Sequence, residues 1–120
     1  MSQTHFPVTI YHNSRCSNAR GALALIRERG IEPQIVDYIA HPLDAAALTA
    51  LVAQLGLPVR ALLRSKEAVY AELQLDTLGD AELIAAVAAH PVLLNRPIVV
   101  TPRGAALCRP PEKVLALLPA

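Results

Sequence analysis

The sequence predicts an α/β protein built on a mixed β-sheet, with elements in the order βαβ, then helices, then ββα. Three observations predict it. A short β-branched run, Val8-Thr9-Ile10-Tyr11, is followed by a polar loop and then by apolar residues at helical spacing. A central stretch carries helical periodicity between capping residues. A second β-branched run, Pro97-Ile98-Val99-Val100-Thr101, leads through a turn signal into a last helical segment. With 120 residues the chain has the size of one ordinary domain. Residues 1–120 are therefore expected to form a single domain with a helical insert at about residues 44–90.

Each element has a local reason. After the first strand and the loop His12-Asn13-Ser14-Arg15, the residues Ala19, Ala22, Leu23 and Ile26 line one face of a helix that stops at Arg29-Gly30, a basic last turn before a C-cap glycine. Ile35-Val36-Asp37-Tyr38 reads as a second strand, parallel to the first through a right-handed crossover. Asp44 can cap a helix carrying Leu48, Leu51, Val52 and Leu55, closed by Gly56. Short helical pieces follow at residues 59–63 and 69–73. Asp80 can cap another helix with Leu83, Ile84 and Val87, ending at His90-Pro91. After the buried strand, Pro102-Arg103-Gly104 turns the chain so that residues 105–108 return as a hairpin. Pro110-Pro111-Glu112 opens a final helix containing Val114, Leu115 and Leu118. No repeat, low-complexity tract or linker interrupts this order. It is the order of a thioredoxin-like sheet with helices inserted between its halves, and in that fold a reactive cysteine sits where the first strand passes into the first helix. Here that position is Cys16.

Composition narrows the function. Hydrophobic residues make up 53% and charged residues 18%, enough for a packed core and against global disorder. Aromatics are only 3%, so Ala, Leu, Val and Ile must fill that core. A chain this short buries roughly two-thirds of its unfolded surface. The net charge of +1 argues against a nucleic-acid binder, and no apolar run approaches the roughly 20 residues of a membrane helix. The opening residues lack the basic and apolar regions of a signal peptide. Two cysteines, Cys16 and Cys108, make a poor disulfide framework and lack zinc-finger spacing, so neither a disulfide nor a metal is expected. These features place the protein in the cytoplasm with reduced thiols. Nine of the eleven cations are Arg, the side chain suited to a two-pronged grip on an oxyanion.

A cysteine at a helix N-terminus faces free backbone N–H groups and the positive end of the helix dipole. His12, Arg15 and Arg20 stand within four residues and add positive charge. If the pKa fell from about 8.5 to about 6.5, the thiolate fraction at pH 7 would rise from roughly 3% to roughly 75%. Such a shift corresponds to about 2.7 kcal/mol, within reach of such a site. The alternative is a small buried hydrophobe, against which the polar run Asn13-Ser14-Arg15-Cys16-Ser17-Asn18 speaks. Three residues after Cys16 stands Ala19, which excludes a dithiol motif, and six after it stands Ala22, which excludes a phosphatase-type loop. Cys16 would then be a single nucleophile resolved by an external thiol. Its partners would be arginines: Arg60 and Arg64, four apart and on one face if that piece is helical, Arg96 before Pro97, and Arg109 before Pro110-Pro111.

The segments His12-Asn13-Ser14-Arg15-Cys16-Ser17-Asn18-Ala19-Arg20, Arg60-Ala61-Leu62-Leu63-Arg64, Asn95-Arg96-Pro97-Ile98-Val99-Val100-Thr101-Pro102 and Cys108-Arg109-Pro110 resemble, in order and over nearly the whole chain, the glutaredoxin-coupled arsenate reductases of the ArsC type. The resemblance implies a thioredoxin-like fold and reduction of arsenate to arsenite. It implies no tightly bound cofactor, with glutathione as co-substrate and glutaredoxin as partner. It assigns Cys16 as nucleophile, His12 as the histidine that assists it, and Arg64, Arg96 and Arg109 as the oxyanion clamp; Arg60 matches no catalytic position. The helix N–H groups after Cys16, at Ser17 and Asn18, would complete the cradle. The chain departs from the family at Ser14, where Pro is common, and at Ala19, where Ser is common. Ser14 loosens the loop, and Ala19 removes a hydroxyl that could bond to the thiolate.

In the mechanism so implied, the arginines neutralise charge as the thiolate attacks arsenic, loss of water gives a Cys16 thioarsenate, glutathione attacks it, and glutaredoxin removes the glutathione. Cys108, with apolar neighbours, would be a bystander. His5, His41 and His90 read as structural or exposed. Other readings are a thiol reductase of the same fold acting on another substrate, a regulator of the Spx type that binds RNA polymerase, and a non-catalytic domain. The Spx type commonly carries a Cys-x-x-Cys switch that Ala19 breaks.

Overall fold

The computed structural model describes residues 6–119, and His5 lies outside them. The chain divides into two compact units, one of residues 6–37 with 96–119 and one of residues 38–95. The expected helical insert falls inside the second.

The first unit is a four-stranded sheet with helices on one face. Strands β1 (Thr9–His12), β2 (Gln34–Asp37), β3 (Ile98–Thr101) and β4 (Gly104–Leu107) lie in the order β2-β1-β3-β4. β1 and β2 are parallel, joined by helix α1 (Ser17–Glu28); β1–β3 and β3–β4 are antiparallel. This is a thioredoxin-like α/β arrangement. β1 pairs Tyr11 with Ile98, and β3 pairs Ile98 with Leu107. The end of β1, the start of β3 and the end of β4 therefore lie at one end of the sheet. β2 has only β1 as a neighbour, which is why Ile35 remains 42% exposed despite its β-branched run.

Alternation along the strands fixes the buried face. Ile10 and Val99 pair across β1 and β3 and pack with Ala22 and Ile26 of α1 and with Val114, Leu117 and Leu118 of the last segment. Arg29 and Gly30 end α1, as expected from their order. The last segment, Pro111–Leu117, is a 3₁₀ helix rather than the α-helix expected. Lys113 N–H bonds to the Pro110 carbonyl and Leu118 N–H to that of Leu115, both of the three-residue spacing that winds the chain more tightly. It lies close against α1 at Gly21, where a Cβ would come within 2.9 Å of Pro111 Cγ. The returning strand ends at Leu107, so Cys108 stands just beyond it.

The second unit is helical: α2 (Ala45–Leu55), α3 (Ala68–Glu72) and α4 (Asp80–Ala89), with 3₁₀ turns at Val59–Leu62, Leu75–Thr77 and Pro91–Leu93. Asp44 caps α2 as expected, its Oδ1 accepting the Ala47 N–H at 2.8 Å. Gly56 closes the helix in the left-handed region, φ 65°, which a side chain rarely adopts. Asp80 does not cap α4. Gly79 occupies the extended cap position, its N–H donating to Glu82 Oε1, and Asp80 supplies negative charge in the first turn instead. Leu48, Leu51, Leu62, Leu75, Leu83 and Leu93 form the buried interior. Among the described residues no helix is long and apolar enough to cross a membrane.

Candidate active site

β1 delivers His12, and four residues later the chain enters α1 with Cys16 at the N-cap, in an extended conformation. The intervening loop is closed by short bonds. Cys16 N–H donates to the Asn13 carbonyl at 2.9 Å, and Arg15 N–H to Asn13 Oδ1 at 3.0 Å. Arg20, one turn into α1, donates from Nη1 to the Ser14 carbonyl at 2.6 Å. Sequence reasoning counted Arg20 only as positive charge; it also ties down the loop that Ser14 leaves without a proline ring. Asn13 carried a legible signal, since Asn side chains close turns of this kind.

The strand register brings Arg96 and Arg109 to the same end of the sheet. Each precedes a proline across a cis peptide bond, Pro97 and Pro110. Arg109 Nη1 donates to the Arg96 carbonyl at 2.9 Å and reaches the Cys16 sulfur at 3.8 Å. Cys16 is buried, with 8% of its surface exposed. That burial pushes its thiol pKa up, but the backbone amide of Ala19, the Arg96 guanidinium and the amide of Asn18 favour the thiolate more, and the net direction is below the ordinary thiol value. These amides belong to the first turn of α1, for which Cys16 itself is the N-cap. Ser17 and Asn18 head this turn, Ser17 exposed and Asn18 half-buried.

His12 is half-buried, and its pKa lies below the usual imidazole value: burial disfavours the charged ring, Asp37 opposes this, and Arg20 and Arg27 add to it. It is thus neutral at pH 7, and its Nε2 is buried without a hydrogen-bond partner among the described residues. Beside it a shallow depression of about 720 Å³ runs along α1, lined by Ser14, Arg20, Leu23, Arg27 and Glu28.

The other singled-out residues divide clearly. Arg64 belongs to the second unit, where its Nε donates to Glu67 Oε2 at 3.2 Å and its backbone N–H to the Leu93 carbonyl. Arg60 does not share a helical face with it, because the helix is a 3₁₀ turn that ends at Leu62 and Leu63 is extended. Arg60 instead donates to Tyr70 Oη, at 2.9 Å, and to the carbonyls of Leu75 and Leu78. The expectation that it partners Cys16 fails because this unit's own acceptors occupy it. Cys108 is fully buried, and burial pushes its thiol up to about 11. His41 and His90 are exposed. Among the described residues no cluster of His, Cys, Asp and Glu has the make-up of a metal site.

Comparisons with known proteins agree with this layout. The ArsC family model matches residues 11–117. An arsenate reductase of Rhizobium meliloti (strain 1021) is 49% identical over 114 residues, covering 93% of this chain and 81% of that protein. YfgD, an uncharacterized protein of Escherichia coli (strain K12), is 46% identical, covering 92% of this chain and 96% of that protein. An arsenate reductase structure from Vibrio cholerae superimposes with a TM-score of 0.92 at 46% identity, covering 96% of this chain and all of that one. A thiol with its pKa lowered by helix amides and Arg96, and with Arg109 3.8 Å away, on a sheet of this topology, is thus found in a chain that belongs to the ArsC family.

Proposed function

We propose that this protein reduces arsenate to arsenite, with Cys16 as the nucleophile and glutathione and glutaredoxin as the source of electrons. The observation that carries the reading is the Cys16 environment: a thiol below its ordinary pKa, at a helix N-terminus, with Arg109 Nη1 3.8 Å from the sulfur. The similarity to arsenate reductases over 93% of the chain supports the substrate. Arg96 and Arg109 bind the arsenate oxygens, and Arg64 joins them on the strength of the family motif; the N–H groups at Ser17 and Asn18 complete the cradle.

Charge grows on the oxyanion as the Cys16 thiolate attacks arsenic, and the guanidinium groups stabilise it. An arsenate oxygen leaves as water, and His12, neutral at pH 7, is the nearby base or acid for that proton. Taking arsenic from +5 to +3 needs two electrons. Cys16 supplies one sulfur and glutathione the other, leaving a Cys16–glutathione disulfide as arsenite departs. Glutaredoxin then attacks the glutathione sulfur and returns Cys16 as thiolate. Cys108 cannot resolve the adduct, because it is fully buried and protonated at neutral pH. Two unpaired cysteines fit work in the reducing cytoplasm.

The test is NADPH consumption with arsenate, glutathione, glutaredoxin and glutathione reductase, for wild type and Cys16→Ser. Arsenate-dependent turnover lost in the variant supports the reading. A wild type that alkylates rapidly near pH 7 without arsenate turnover overturns arsenate and redirects the search to other oxyanions, glutathione mixed disulfides or polymerase binding.

A further inference from the structure

The contact between Arg64 and Glu67 assigns a role that no motif supplies: we propose that Glu67 is a positioning residue, orienting the Arg64 guanidinium for the oxyanion. The inference rests on the reading of Arg64 as part of the clamp.

Glu67 stands at the N-cap of α3, extended at φ −70° and ψ 140°. The side chains that accept an N–H of the first turn from this position are the short ones of Asp, Asn, Ser and Thr, and Glu is one methylene longer. This one makes no such bond. It turns back three residues and accepts Arg64 Nε at 3.2 Å, with the two side chains only 23% and 26% exposed. Glu67 thus gives Arg64 a fixed edge.

The rest of Arg64 is anchored as well. Its N–H bonds to the Leu93 carbonyl at 2.8 Å, beside a bridge pairing Leu63 with Leu94, and the Glu67 N–H returns to the Arg64 carbonyl at 3.2 Å. Backbone and Nε are thus held from three directions. A carboxylate on the Nε edge leaves the four Nη hydrogens, the pair of prongs that grip an oxyanion, uncommitted to it. An arginine held this way loses less side-chain freedom on binding than a free one. Arg60, four residues earlier, shows the opposite disposition, since both its Nη groups are taken by acceptors of its own unit.

The test measures oxyanion binding without turnover. Arsenate shields Cys16 from iodoacetamide, and the arsenate concentration giving half-protection is read for wild type, Glu67→Gln, Glu67→Asp and Glu67→Ala, each normalised to its own unprotected rate. Glu67→Gln keeps an acceptor for Nε and is expected to protect within about twofold of wild type. Glu67→Ala loses it, and its half-protecting concentration should rise about tenfold. Glu67→Asp keeps the charge but not the reach and should fall between, which preserves the test should the alanine variant fold poorly. Equal values for all four, or a Gln variant as weak as Ala, overturn the role of Glu67. A wild type that arsenate does not protect overturns the oxyanion site itself, and this inference with it.

Discussion

Cys16 and Cys108 are both buried and stand at the same end of one sheet, yet their thiols move in opposite directions. Burial penalises the thiolate in both. At Cys108 little opposes it: among the described residues its thiol meets the Ala106 carbonyl, at 3.7 Å, and the Lys113 charge counts for less than burial. At Cys16 the Ala19 and Asn18 amides of α1 and the Arg96 guanidinium reverse the sign. Arg109 follows Cys108 directly in sequence but turns its guanidinium toward Cys16, 93 residues away along the chain. Burial alone makes a structural cysteine; burial next to fixed donors makes a reactive one.

The comparison breaks most completely at the sulfurs. Cys16→Ser should abolish both rapid alkylation near pH 7 and arsenate-dependent turnover, whereas Cys108→Ser should leave both in place. Alkylation with iodoacetamide followed by mass spectrometry decides which thiol reacts.

The arginines come next. Arg96→Lys should raise the arsenate KM by at least about tenfold, since one ammonium cannot make a two-pronged contact. Arg109→Lys should do the same, and Arg96→Ala should move the alkylation midpoint of Cys16 upward. In the wild type that midpoint is expected below the roughly 8.5 of a free thiol.

Stability against pH sharpens the contrast further. Cys108 has a folded-state pKa of about 11, above the ordinary value of 9.0, so the folded state resists losing that proton while the unfolded chain does not. Stability should therefore fall by about 2 kcal/mol as pH rises from 9 to 11, and Cys108→Ala should flatten that limb of a urea-denaturation series. The Cys16 contribution has the reverse sign. Its depressed pKa favours the folded state above the unfolded thiol pKa and loses that contribution as pH falls through the folded value.

The smallest effect on the thiols is expected from the other unit. Arg60→Met should cost about 1–2 kcal/mol, because Tyr70 and two carbonyls lose a charged donor, yet leave the alkylation profile of Cys16 unchanged. A shift in that profile would show that Arg60 communicates with the thiol.

Much of this was legible locally. The β-branched runs, Asp44 and Gly56 around α2, and the Arg29-Gly30 stop of α1 all act through near neighbours, so their residue types suffice. Boundaries slipped where a neighbouring group decided. Gly79 took the cap from Asp80 because Glu82 reached back to its N–H, and the last helix tightened to 3₁₀ over carbonyls three residues away. Cys16 at a helix start was legible as a reactive thiol, because dipole and amides come with the helix itself.

The sequence by itself determined the order of elements, the place of Cys16 at a helix start and the surplus of arginines, since periodicity, caps and residue chemistry are properties of short segments. Only the tertiary structure decided which groups each arginine meets. Side-chain reach depends on strand register and on which acceptors lie nearby: register carried Arg109 to Cys16, Tyr70 and the carbonyls of Leu75 and Leu78 claimed Arg60, and Glu67 claimed Arg64. Those pairings join groups brought within about 4 Å by folding, a distance over which charge and hydrogen bonding act and which spacing along the chain does not encode.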